Sequence, residues 1–148
     1  HQEGTDNRME ALYSGRNAAV TNRQQGSFNE LMSDVRGQEM NITSIQNGEL
    51  LELDYFISAD DLRLNSTQFG RRNRIEMDAA VETSAISFEQ DGYFMDVTSV
   101  AEGRNFRMSV AQTGELNEIE TIQYGSDHSV EVKQEGINNS TYIRQIDL

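Results

Sequence analysis

Residues Gln112–Gln145 read QTGELNEIETI-QYGSDHSVEVK-QEGINNSTYIR-Q, and the stretch breaks into three units of eleven. Gln112, Gln123, Gln134 and Gln145 open successive units, and Asn117, His128 and Asn139 stand five residues after the first three. Internal repeats govern the choice of fold and come before any assignment of single elements. Stepping back from Gln112 by 22 residues at a time meets Gln90, Gln68, Gln46, Gln24 and Gln2. Glycine makes the frame certain. The chain has eleven, at Gly4, Gly15, Gly26, Gly37, Gly48, Gly70, Gly92, Gly103, Gly114, Gly125 and Gly136, and every one occupies the third position of an 11-residue unit. Only Ala59 and Val81 interrupt that column.

The consensus is Q-x-G-x-x-N-x-φ-x-x-x, with φ apolar. The φ column holds Val20, Leu31, Ile42, Leu53, Leu64, Ile75, Ile86, Val97, Met108, Ile119 and Val130, the expected core, with Met9 before them. The residues on either side of it are mostly polar, such as Glu52 and Asp54 around Leu53. Alternation with period two marks a half-buried strand, whereas a helix would space its apolar residues three and four apart. Each unit therefore predicts a strand of about seven residues and a turn of about four, with the glycine where positive φ is cheap. Two units face each other to complete a rung of 22. The fold class is all-β: one β-solenoid domain over residues 1–148, with full units over 2–144 and a partial unit at 145–148, stacked as in cross-β assemblies.

The two halves of a rung differ. One opens on glutamine throughout, from Gln2 to Gln134, while the other opens on Tyr13, Val35, Ile57, Ala79 and Ala101 before turning to Gln123 and Gln145. Asparagine is concentrated in one half too, at Asn7, Asn29, Asn73, Asn117 and Asn139, with Leu51 and Met95 between them. Rungs of a β-stack lie about 4.8 Å apart, so six and a half of them make a column roughly 30 Å tall. Equivalent glutamines and asparagines then stand above one another, and each amide is expected to donate to one neighbour and accept from the other. A carboxylate in those columns would stack like charges, and a methyl would orphan the flanking amides. The outward column Arg8, Glu30, Glu52, Arg74, Asp96, Glu118 mixes signs and reads as a guard against lateral clumping. No capping segment is evident in the frame, so both ends are expected to be open edges, and the half rung suggests a lap joint between copies.

Composition bounds the function. There is no proline, in keeping with a chain of stacked strands, and no cysteine, hence no disulfide and no thiolate metal site. A net charge of −13 with a single lysine, Lys133, speaks against nucleic acid. No apolar run approaches the ~18 residues of a membrane span. A first residue His1 fits a cleaved secretory precursor and equally a trimmed chain. No catalytic, cofactor-binding or metal-binding residues are expected, and no small-molecule substrate.

The units Gln112–Asn117, Gln123–His128 and Gln134–Asn139, each followed by a glutamine eleven residues on from its first, resemble curlin repeats, as does Gln24–Asn29. The resemblance extends along essentially the whole chain. It implies a structural subunit of an extracellular curli-like amyloid fibre on a bacterial surface, serving biofilm and adhesion. It implies head-to-tail self-polymerisation, with other curli subunits and secretion and assembly factors as partners. Family repeats are richer in glycine and small residues than these, and several units here lack the second glutamine.

Other features have plainer readings. His128 in the asparagine column is expected to substitute within the ladder rather than to bind metal. Asp60-Asp61 with Glu49, Glu52 and Asp54 fits no calcium-loop spacing and reads as a solvated acidic face. Arg71-Arg72 with Arg74 is expected to pair with acidic neighbours. Tyr55, Phe56, Phe88 and Phe106 are expected to serve packing and not a ligand cage. A monomeric surface solenoid, an adhesin or an ice-binding protein, is the competing class. The column Thr21, Thr43, Asn65, Ser87, Ser109 would be its face, but irregular flanks such as Ala19 and Arg23 argue against ice.

Overall fold

The alternating pattern builds strands along nearly the whole chain. The computed structural model describes residues 1–147 and contains β1 (Gln2–Gly4), β2 (Arg8–Arg16), β3 (Ala19–Gly26), β4 (Phe28–Gln38), β5 (Met40–Ile45) and β6 (Leu50–Thr67). These are followed by β7 (Arg72–Glu89), β8 (Phe94–Arg104), β9 (Phe106–Gln112), β10 (Asn117–Ser126), β11 (Ser129–Gln134) and β12 (Ser140–Asp147). All pairing is parallel, and every partner lies 22 residues away: Gln2 beside Gln24, Leu53 beside Ile75, Ile119 beside Thr141. The molecule is a β-solenoid of about seven turns.

Its two walls follow from the two half-rungs. The first wall is β2, β4, the front half of β6, the front half of β7, β8, β10 and β12. The second is β1, β3, β5, the rear halves of β6 and β7, β9 and β11. Between them lies the core. Ile42, Leu53, Leu64, Ile75, Val97 and Ile119 are fully buried, and Leu31, Ile86 and Met108 nearly so. Val20 and Val130 are half-buried, because fewer rungs cover them. Each fully buried aliphatic chain contributes about 1.5–3 kcal/mol. Exposed ion pairs such as Arg8–Glu30 contribute about 0–1 kcal/mol. The core, not the charged surface, therefore holds the column.

Two features depart from the unit of seven plus four. β6 and β7 run through the corner without a break, 18 residues each. They do so at Ala59 and Val81, the two units without glycine, whose side chains turn inward at 5 % and 4 % exposure. Elsewhere on that corner a glycine at positive φ is followed two residues later by a left-handed residue, as at Gly37 with Glu39 and Gly103 with Asn105. The opposite corner is mixed: Gly4 with Asp6 and Gly136 with Asn138 repeat that pairing at the outermost rungs and Gly70 has positive φ, but the other glycines differ. Gly26, Gly48, Gly92 and Gly114 are not at positive φ. A Cβ on Gly48 would overlap the carbonyl oxygen of Gly26, one rung below, and the same relation holds for Gly92 over Gly70. Glycine is required there so that one rung's backbone can settle on the next.

Candidate assembly core and surfaces

The amide column lies inside the wall rather than on it. Gln24, Gln46, Gln68, Gln90 and Gln112 are each 1 % exposed or less. Gln24 Nε2 donates to Gln46 Oε1 (2.6 Å), Gln46 to Gln68 (2.9 Å), Gln68 to Gln90 (2.9 Å) and Gln90 to Gln112 (3.4 Å). The column ends there. Gln112 Nε2 turns to the Glu118 carbonyl, Gln134 to the Ser140 carbonyl, and Gln2 to the Arg8 carbonyl. Gln2 and Gln134 thus bond to backbone six residues ahead, not to the neighbouring glutamine. A second, short column begins where the other half turns to glutamine: Gln145 Nε2 donates to Gln123 Oε1 at 3.1 Å.

Asparagine does something else. Asn7 Nδ2 bonds Asn29 Oδ1 across a rung (2.9 Å) and also the Gly4 carbonyl (2.8 Å). Asn29 Nδ2 donates to the Gly26 carbonyl and Asn73 Nδ2 to the Phe69 carbonyl, both at 2.9 Å. Asn117, with its nitrogen turned to the corner, donates to the Gly114 and Glu115 carbonyls. These side chains tie down the corner just before them, a local asparagine-to-backbone bond of the kind that stabilises turns. A continuous asparagine ladder does not form because Leu51 and Met95, each 1 % exposed, fill the intervening rungs. Asn139 is exposed at the last rung. His128 is half-buried above Phe106, and both its ring nitrogens lack a hydrogen-bond partner, so it takes no place in a ladder.

A third inward column, two residues beyond φ, was absent from the consensus. It holds Ser33, Tyr55, Met77, Ser99 and Thr121 on the first wall and Ser44, Ser66, Phe88 and Val110 on the second, all buried. Its mixed chemistry hides it in a consensus, though strict alternation from Leu53 would point to Tyr55. Burial pushes the Tyr55 phenol up to about 12, with the Ser44 and Ser66 hydroxyls working in the opposite direction. Of the aromatics expected to serve packing, Tyr55, Phe88 and Phe106 lie in the core, while Phe56 is half exposed on the outer surface.

The outer surface of the first wall is acidic. Arg74 bonds Glu52 (2.8 Å) and Glu76 (2.6 Å), Arg71 lies 3.7 Å from Glu49, and Arg72 stacks over Phe94. Asp54 and Asp96 form no ion pair among the described residues. Both carboxyls lie above the usual carboxylate range, chiefly because they are partly buried and then because Glu52 presses on Asp54 and Glu118 on Asp96. Of the acidic face read from sequence, Glu49, Asp60 and Asp61 are exposed as expected, whereas Asp54 is half-buried. The sign follows from linkage. A carboxyl raised in the folded state binds protons more tightly there, so stability rises as pH falls from the raised value toward the unfolded one. Above the raised value both groups are charged and the cost is fully present. Asp54→Asn and Asp96→Asn are accordingly expected to raise the melting temperature at pH 7. They should also flatten its rise on acidification toward about pH 4, near the unfolded carboxylate value. Identical melting profiles for variants and parent would refute this reading of the surface.

Residues 103–136 match the family model described as curlin associated repeat. The matched stretch covers the rungs in which Gln112, Gln123 and Gln134 stand in consecutive units, where the consensus is fullest. No curated protein and no solved structure matches the chain.

Proposed function

We propose, from the curlin associated repeat matched at residues 103–136 and the same frame along the rest of the chain, that this is a curlin-family protein and a structural subunit of an extracellular curli-type amyloid fibre at a bacterial surface. It polymerises with itself by strand addition, in company with other curli subunits and secretion factors, and it has no catalytic role. The observation that supports this most is the unbroken register of 22 along both walls. A column in which every rung templates the next presents, at β12 and β11, backbone groups poised to accept another strand. A second copy brings the same inward columns at the same spacing and fits that edge. The fibre serves as biofilm matrix and adhesive in this reading.

Electron micrographs of the purified chain test it. Unbranched fibres with a thioflavin response and reflections near 4.8 Å and 10 Å are expected. A chain that remains monomeric for days at high concentration would instead be a surface solenoid acting alone.

A further inference from the structure

The two walls carry opposite charge. On the first, Glu30, Glu52, Asp54, Glu76, Asp96 and Glu118 surround Arg74. On the second, the strand centres carry hydroxyl, amide and alanine side chains around Arg63 and Arg107. Both arginines are exposed, and neither forms an ion pair among the described residues. Ala85 lies between them, one rung from each, and an open groove of about 780 Å³ runs beside this strip, with Glu39 and Asp61 on its corner side.

The spacing on the two walls is the same because one 22-residue rung cuts both. Arg63, Ala85, Arg107 form three successive steps of a column. Glu52, Arg74, Asp96 form three successive steps on the other wall. In each set the outer pair is two rungs apart, about 9–10 Å. Two parallel columns laid side by side, offset by half a rung, bring Glu52 to Arg63 and Asp96 to Arg107. Arg74, already held by Glu52 and Glu76, then meets the small Ala85.

We infer that the Arg63–Ala85–Arg107 strip is a lateral docking surface for the acidic wall of a second copy of this chain, so that columns associate side by side as well as end to end. This rests on the fibre reading above for its physiological setting, but not for its geometry. The contact is electrostatic and between separate molecules. The Debye length falls from about 10 Å at 0.1 M salt to about 3 Å at 1 M, so salt dissolves it. The molecule's net charge of −13 opposes approach at long range, which leaves the matched local pairs to select the orientation.

The test compares the parent with Arg63→Glu/Arg107→Glu by electron microscopy, and by sedimentation if columns remain soluble. The parent is expected to bundle at about 0.1 M salt and to disperse toward 1 M. The variant should give single fibres at both salts with an unchanged growth rate, and the bundled fraction should fall at least about tenfold, the effect of losing roughly 1.4 kcal/mol per contact. Mixing it with Glu52→Arg/Asp96→Arg should restore bundles, which a merely misfolded variant would not do. Bundles that persist in Arg63→Glu/Arg107→Glu overturn the proposal. So do parent fibres that stay single until an anionic polysaccharide is added, which would make the strip a polyanion site. If no fibres form, the fibre reading fails alone. Sedimentation then decides lateral pairing: salt-sensitive dimers of the parent, lost in the variant, uphold it, and monomers throughout refute it.

Discussion

Replacing Gln68 with leucine is expected to lower the unfolding free energy by roughly 2–5 kcal/mol and to slow fibre growth. Gln68 is fully buried, accepts from Gln46 and donates to Gln90. Leucine is similar in size, so no cavity opens, but the Gln46 amide loses its acceptor and the Gln90 oxygen its donor. Each orphaned buried group costs about 1–3 kcal/mol. Gln2→Leu is the control. Gln2 is only part-buried and bonds a single backbone carbonyl, so a loss below about 1 kcal/mol is expected. Urea titration measures both. Equal midpoints for Gln68→Leu and the parent would remove the amide column from the account of how rungs align.

Gly48→Ala is expected to cost at least about 3 kcal/mol and to exceed Gly15→Ala, contrary to a ranking by backbone conformation alone. Gly15 has φ 151° but open space where a Cβ would sit, whereas Gly48 has no positive φ and would drive its Cβ into the Gly26 carbonyl. Strain at an unfavourable φ costs of order 1–3 kcal/mol. The overlap at Gly48 is with backbone on one side and the Asn29 amide on the other, so relief requires the rungs to part. Parting them there loosens the Gln24–Gln46 bond and the Asn29 corner bond together. Thermal melts of the two variants decide the order. If Gly15→Ala is the more damaging, glycine serves this fold through its dihedral freedom and not through close approach.

The column was readable from sequence because its period is carried by residues with one use each. Glycine marks the corners and the φ column marks the core, so stepping by 22 from Gln112 predicts the register that pairs Leu53 with Ile75. What escaped were features that depend on neighbours in the third dimension. Asn29 and Asn73 share a frame position, yet the intervening Leu51 separates them, so Asn29 bonds Asn7 and its own corner and Asn73 donates only to its corner. Tyr55 and Ser33 occupy one inward column despite having no chemistry in common, so no consensus reveals it. Ala59 and Val81 looked like gaps in a turn and instead make β6 and β7 continuous. Phe56 is apolar but falls on the outward phase, and its position in the alternation was the better guide than its hydrophobicity. The opposition of the two walls was latent in the frame too. It emerges only when alternate units are separated, because Glu52 and Arg63 share a position of the 11-residue repeat and differ in which wall they face.

Vertical neighbourhood of residues 22 apart is tested most directly by paired spin labels. The chain has no cysteine, so Thr43→Cys/Asn65→Cys and Thr43→Cys/Asp54→Cys can be labelled cleanly. Thr43 and Asn65 are partners in adjacent rungs on one wall, and their backbones lie about 5 Å apart in a parallel stack. Asp54 is nearer to Thr43 in sequence but on the opposite wall, with sheets about 10 Å apart and both labels pointing outward. Strong dipolar broadening for the 43/65 pair and weak coupling for the 43/54 pair is the expected result. Stronger coupling between 43 and 54 than between 43 and 65 would contradict the solenoid itself.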